Sequence, residues 1–169
     1  MTAIPEESRK YLEVLLVEDN PGYVRLTREA FRDANTAMRL HVTSDGAEAL
    51  AFLHREGVHA DAPRPDIILL DLTLPKVDGR EVLAHIKQDH SLKSIPTAIL
   101  SGSDAPADIA RSYSSHANCY LVKPAQWDAF LALMNSVNDF WLQKVKLPSR
   151  MDASDLIELP DLESSKKSG

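Results

Sequence analysis

Four apolar runs in this chain each end on a residue that could do chemistry. Ile67-Ile-Leu-Leu-Asp71 carries aliphatic side chains straight into a carboxylate, and Leu72-Thr73-Leu74-Pro75 follows at once. Leu12-Glu-Val-Leu-Leu-Val17 runs into the acid pair Glu18-Asp19. Ile95-Pro-Thr-Ala-Ile-Leu100 ends on the hydroxyl of Ser101, and Cys119-Tyr-Leu-Val122 ends on a cation and a proline, Lys123-Pro124. Brought to one place, these residues supply three carboxylates, a hydroxyl and an amine. Crowded carboxylates repel one another and call for a divalent cation, and an all-oxygen ligand set suits Mg²⁺. Such a set could accept and stabilise a phosphoryl group.

The elements must deliver those groups to a common edge. Runs of aliphatic residues without polar alternation read as strands buried on both faces, as in a parallel sheet covered by helices. Pro75 cannot continue a central strand, so Asp71 stands at a strand's carboxyl end, where open α/β sheets bind ligands. Between the strands the sequence predicts helices. Asn20-Pro21 supplies an N-cap and a first-position proline for a helix to about Asp33, with Tyr23, Leu26, Ala30 and Ala34 on one face. Met38 to Ser44 reads as a strand, and Asp45-Gly-Ala-Glu48 fits a capping box for a helix from Gly46 to about Glu56. Asp78 can cap a helix from Gly79 to about Gln88. Ser103-Asp104 is read as the cap of a small, polar helix from about Ala105 to His116. The last helix is predicted from about Ala125 to Lys144. Five β/α alternations without an internal repeat favour a parallel sheet sandwiched by helices.

At 169 residues the chain suits one domain with short extensions: 1–10, a body over 11–146, and 147–169. A formal net charge of -6 argues against a broad nucleic-acid-binding face and against a polybasic membrane contact. No stretch is long and apolar enough to span a bilayer, and the first residues lack a secretory signal, so the expected compartment is the cytoplasm. The single Cys119 excludes an internal disulfide and reads as a small buried hydrophobe. His54, His59 and Asp61 flank a Pro-rich loop over Gly57 to Pro65, but their spacing fits no familiar ligand motif, and a solvated loop is expected.

The dispersed set Glu18-Asp19, Asp71, Ser101 and Lys123-Pro124 resembles the receiver domain of two-component response regulators. The likeness spans about Leu12 to Leu142, and the spacings of 30 residues from Asp71 to Ser101 and 22 from Ser101 to Lys123 are typical of that family. More narrowly, Asn20-Pro-Gly-Tyr-Val-Arg-Leu-Thr-Arg-Glu-Ala30, Asp78-Gly-Arg-Glu-Val-Leu83, Ala117-Asn-Cys-Tyr-Leu-Val-Lys-Pro124 and Asp139-Phe-Trp-Leu142 look like the stand-alone regulators of bacterial and cyanobacterial phytochromes. The resemblance implies a flavodoxin-like (βα)5 fold and a phosphoacceptor switch rather than an enzyme. By the same resemblance, a sensor histidine kinase of the phytochrome type donates a phosphoryl group to Asp71. Asp19, Asp71 and the Thr73 carbonyl would ligate Mg²⁺, with Glu18 acting mainly through metal-bound water. Lys123 and Ser101 would hold phosphoryl oxygens, Ser101 and Tyr120 would form the conformational switch, and Lys123–Pro124 would be a cis peptide. Ser101 stands where Thr is more usual and Thr73 where Asn is frequent in the subgroup.

Two other readings compete. A haloacid-dehalogenase-type phosphatase also uses a strand-end Asp and Mg²⁺, but it needs a second Asp two residues on, where this chain has Thr73. A non-phosphorylated scaffold is disfavoured by the complete acidic set. The chain after Trp141 leaves no room for a DNA-binding output domain, so signalling is expected through protein contacts. Phe130, Leu131, Met134, Val137, Phe140 and Trp141 crowd the last helix, and Val145, Leu147, Leu156, Ile157 and Leu159 interrupt a polar tail. That excess of apolar surface leads to the expectation of a homodimer held by the last helix and the tail.

Overall fold

A computed structural model describes residues 11–32 and 37–148. Within them the chain alternates strand and helix: β1 (Leu12–Val17), α1 (Pro21–Arg32), β2 (Met38–Thr43), α2 (Gly46–Leu53), β3 (Ile67–Asp71), α3 (Gly79–Gln88), β4 (Thr97–Ser101), α4 (Pro106–Ser114), β5 (Cys119–Val122) and α5 (Trp127–Val137). A 3₁₀ turn at Gly57–His59 and a π-helical segment at Asn138–Leu142 complete the order. The five strands are all parallel in the order β2-β1-β3-β4-β5, the flavodoxin-like arrangement expected from the alternation.

Every residue of β3 and β4 is buried, which is why their sequences show no polar alternation. The sheet separates two apolar layers. One gathers Leu15, Val17, Ile68, Leu70 and Ile99 with Phe52, Val82, Leu83 and Ile86 of α2 and α3. The other gathers Val14, Leu16, Leu69 and Leu100 with Ala30 and Phe31 of α1 and with Phe130, Met134 and Val137 of α5.

The helix starts follow their caps. Asn20 Oδ1 accepts from the Gly22 amide at 2.8 Å, Asp45 Oδ1 from the Glu48 amide at 2.7 Å, and Asp78 Oδ1 from the Arg80 amide at 2.8 Å. At α4 the expectation fails. The cap position is Ala105, without a side-chain bond, and Pro106 opens the helix. Ser103 is drawn away from capping because its hydroxyl donates to Asp108 Oδ2 at 2.6 Å.

Three helices end before the predicted limits. In α2, His54 is the C-cap and Arg55 adopts a left-handed φ of 56°; Glu56 N bonds Ala51 O at 2.9 Å and Arg55 N bonds Phe52 O at 3.2 Å. This is a Schellman closure with arginine where glycine is usual. α4 closes the same way, with His116 at φ 69° and Ala117 N on Ser112 O at 3.0 Å. α5 gives way at Val137 to the π-helical segment, where Val145 N reaches back to Phe140 O at 2.9 Å.

The last helix is also less surplus in apolar surface than its sequence suggests. Phe130, Met134 and Val137 are buried, and Leu131 and Trp141 pack against the same core layer. Phe140 and Trp127 remain exposed, at 56% and 52%. Leu156, Ile157 and Leu159 of the tail lie outside the described residues, as do 1–10 and 149–169 in full.

Candidate functional site

Parallel register brings the four strand ends together as a staircase. Val17 lies beside Leu70, Asp71 beside Leu100, and Ser101 beside Val122. Glu18 therefore leaves β1 next to Asp71, Ser101 ends β4 one position on, and Lys123 leaves β5 one position further. Backbone bonds hold the edges: Glu18 N to Thr43 O at 3.0 Å and Lys123 N to Ser101 O at 2.7 Å.

Glu18, Asp19 and Asp71 each offer a carboxylate oxygen within 4.8 Å of the others. Glu18 and Asp71 are buried while Asp19 is exposed, so the cluster opens to solvent on Asp19's side. Lys123 Nζ donates to Glu18 Oε2 at 2.5 Å and to Asp71 Oδ2 at 2.9 Å, with its side chain only 6% exposed. The second Asp71 oxygen, Oδ1, accepts from the Thr73 amide at 3.0 Å, which fixes the carboxylate plane. Glu18 Oε1 accepts from the Asn20 amide at 3.1 Å.

The electrostatics follow from that burial. Loss of water around Glu18, reinforced by the Asp71 charge and only partly offset by Lys123, raises its carboxyl to about 7. Burial would lower the Lys123 ammonium, but its bonds to Glu18 and Asp71 outweigh that and raise it above the ordinary lysine range. One cation among three acids leaves the pocket with an excess of negative charge. A donor set of carboxylates alone suits a hard divalent ion, and the residues present fit one.

Ser101 is buried, and its hydroxyl accepts from the Ser103 amide at 3.2 Å. The Tyr120 hydroxyl donates to the Ser103 carbonyl at 2.8 Å. Ser101 and Tyr120 are thus joined through Ser103, whose hydroxyl holds Asp108, which in turn pairs with Arg80 at 3.2 Å. The Lys123–Pro124 bond departs from expectation. All peptide bonds among the described residues are trans, the form an X–Pro bond prefers by about 0.5–1 kcal/mol when nothing selects against it.

Sequence reasoning missed two contributors. Tyr23 reads as one of the apolar positions of α1, yet its ring lies under Lys123 Nζ, 4.2 Å from the centroid, and so forms a wall of the pocket. Trp127 and Phe130 pack on that ring at 5.1 and 4.7 Å between centroids. Ser103 reads as a cap in the sequence and is in the structure the link between Ser101 and Tyr120. Only the packing of α1 beside α5 on one face of the sheet reveals the first, and only the loop's fold reveals the second.

The model of the response regulator receiver domain matches residues 14–135. The chain belongs to the response regulator receiver family. Response regulator Rcp1 of Synechocystis is 42% identical over 144 residues, covering 85% of this chain and 98% of that protein. Its Mn²⁺-bound crystal structure superposes with a TM-score of 0.80, over 82% of this chain and 99% of the other. The phosphorylated cyanobacterial phytochrome response regulator RcpA is 45% identical, with a TM-score of 0.80 and the same coverage. This receiver is accordingly a phosphoacceptor switch in a two-component system, not an enzyme, and its acidic pocket is of the kind that binds a divalent metal. Among the described residues no helix is long and apolar enough to cross a membrane.

Proposed function

We propose that Asp71 accepts a phosphoryl group from the phosphohistidine of a phytochrome-class sensor kinase in a Mg²⁺-dependent transfer. The observation that carries this reading is the posture of Asp71. One oxygen is pinned by the Thr73 amide, the other is paired with Lys123, and the carboxylate lies within the acidic cluster that Asp19 opens to solvent. In the transfer an Asp71 oxygen forms a bond to phosphorus as the phosphorus–nitrogen bond breaks, and the kinase imidazole leaves. Asp19, Asp71 and the Thr73 carbonyl would hold Mg²⁺, with Glu18 contributing through bound water. When bound, the ion offsets the repulsion between carboxylate and incoming anion. Lys123 then exchanges its bond to Asp71 for a charge-assisted bond to a phosphoryl oxygen.

Ser101 would turn its hydroxyl from the Ser103 amide to another phosphoryl oxygen. That movement pulls on the loop whose carbonyl holds the Tyr120 hydroxyl, so Tyr120 is released to turn inward. The change would be read by protein partners at α4, β5 and the last helix, where Tyr113, Val122 and, on the π-helical segment after α5, Phe140 are exposed. The same face serves a homodimer in this reading, with 147–169 as an arm beyond the 11–146 receiver body. The net negative charge sets the molecule against nucleic acid and membrane surfaces, in keeping with a cytoplasmic signalling protein.

Incubation with Mg²⁺ and a small acyl-phosphate donor, read by intact mass, tests the assignment. The expected result is one phosphoryl group on the wild-type chain and none on Asp71→Asn. Label retained by Asp71→Asn would overturn it. Transfer from purified phytochrome kinases against other sensor kinases then tests the partner.

A further inference from the structure

The second cluster of ligand-bearing side chains lies far from the phosphoacceptor, where the end of α2 meets the end of α3. His54 is the C-cap of α2, while His85 and Asp89 lie four residues apart on α3 and at its C-cap. One ligand atom from each lies within 4.8 Å of the other two. The two imidazoles meet tip to tip, Nε2 to Nε2 at 2.7 Å, with ring planes at 88°. We propose that His54, His85 and Asp89 form a site for a borderline-soft divalent transition metal of the Zn²⁺ class, clipping α2 to α3.

The donor set decides the class of ion. Two imidazole nitrogens and one carboxylate oxygen suit Zn²⁺, Co²⁺ or Ni²⁺ and do not suit Mg²⁺, which favours the all-carboxylate pocket at the sheet edge. The geometry is nearly set. Without metal, the short contact between the rings requires one Nε2 to donate and the other to accept, so the two cannot both carry or both lack a proton. A tetrahedral ion with nitrogen ligands at about 2.0–2.1 Å would place the two nitrogens roughly 3.3 Å apart. Both histidines are exposed, so their rings can open by that small amount without disturbing the core.

Asp89 is already aimed. Its Oδ1 accepts from Ser91 N at 2.8 Å, Ser91 Oγ at 2.7 Å and Leu92 N at 3.1 Å, which leaves Oδ2 for a ligand. A carboxylate oriented by such outer bonds is what a metal site requires of its supporting groups. The fourth position would be water. The site is separate from the acidic pocket: Gly79 at the start of α3 touches the Asp71 carbonyl, and α3 runs about 15 Å before Asp89.

Zn²⁺ titration of the full chain by calorimetry, in excess Mg²⁺ so that the acidic pocket is filled, tests the proposal. One equivalent should bind to the wild type and to Asp71→Asn alike. His85→Ala and His54→Gln should each weaken binding by at least roughly tenfold, and Asp89→Asn by less, with unchanged thermal midpoints in the absence of Zn²⁺. The ligand-field absorption of added Co²⁺ should show nitrogen ligation in the wild type and lose it in the histidine variants. No uptake in excess Mg²⁺ would overturn the site, as would uptake that both histidine variants retain, since four other histidines are available to adventitious ions.

Discussion

Glu18 keeps a carboxylate almost wholly out of water, beside Asp71 and a single lysine. Because burial holds its proton up to about pH 7, the folded chain binds a proton there that the unfolded chain releases near 4.5. Stability from this group is therefore present below pH 4.5 and is lost as pH rises through 7. Lys123 does not alter that window, since its own raised value moves its loss of stability to alkaline pH. In metal-free buffer, Glu18→Gln should flatten the fall in unfolding free energy between about pH 5 and 7.5, by up to a few kcal/mol relative to wild type. Urea titrations at several pH values would measure it, and parallel profiles for the two proteins would refute the burial argument. Added Mg²⁺ should restore stability chiefly at the upper end of that range, where the carboxylate is free to bind it.

At the scale of elements, the site depends on how closely α3 approaches the end of β3. A Cβ on Gly79 would run into the Asp71 carbonyl and the Leu72 Cα, so no side chain fits at the first position of α3. Gly79→Ala should cost roughly 1–3 kcal/mol and slow phosphoryl uptake, because the strand end must yield. Gly102→Ala, with open space around its Cβ position and an ordinary φ, should stay within about 0.5 kcal/mol of wild type. Equal costs for the two variants by denaturant unfolding would contradict the close approach. Strands and the starts of α1, α2 and α3 were legible because their causes are local: aliphatic runs, and Asn20, Asp45 and Asp78 at caps. Helix ends were not, because α2 and α4 close on Arg55 and His116 in a left-handed conformation. Neither residue announces that conformation in sequence, whereas a glycine would have. The strand-end chemistry was legible for a related reason. Parallel register turns the ends of separate runs into neighbours, so Glu18, Asp71, Ser101 and Lys123 could be grouped before their distances were known. Tyr23 beneath Lys123 and His54 against His85 depend on how helices sit on the sheet, which no spacing along the chain reveals.

At the scale of the whole molecule, a receiver must pass its state to another surface. Tyr113 on α4 and Val122 at the end of β5 are exposed, as is Phe140 on the π-helical segment that follows α5. Light scattering on the full chain should give a dimer at micromolar concentration, and a chain ending at Lys146 should dimerise more weakly. A monomeric full-length protein would refute the dimer, and an equally tight truncated one would refute the arm. The aromatic stack described above has an optical consequence. Trp127 presses on Gly22 and on the Tyr23 ring, and that ring faces the Lys123 ammonium, which in the proposed transfer exchanges Asp71 for a phosphoryl oxygen. The indole is half in water, so its emission colour and yield answer to small shifts of that stack. In a Trp141→Phe background, Mg²⁺ or a phosphoryl donor should change Trp127 emission in step with site occupancy, and Tyr23→Leu should make the signal silent while uptake continues. The receiver then carries its own lamp beside the switch, and its rates can be followed without a dye, a label or a partner.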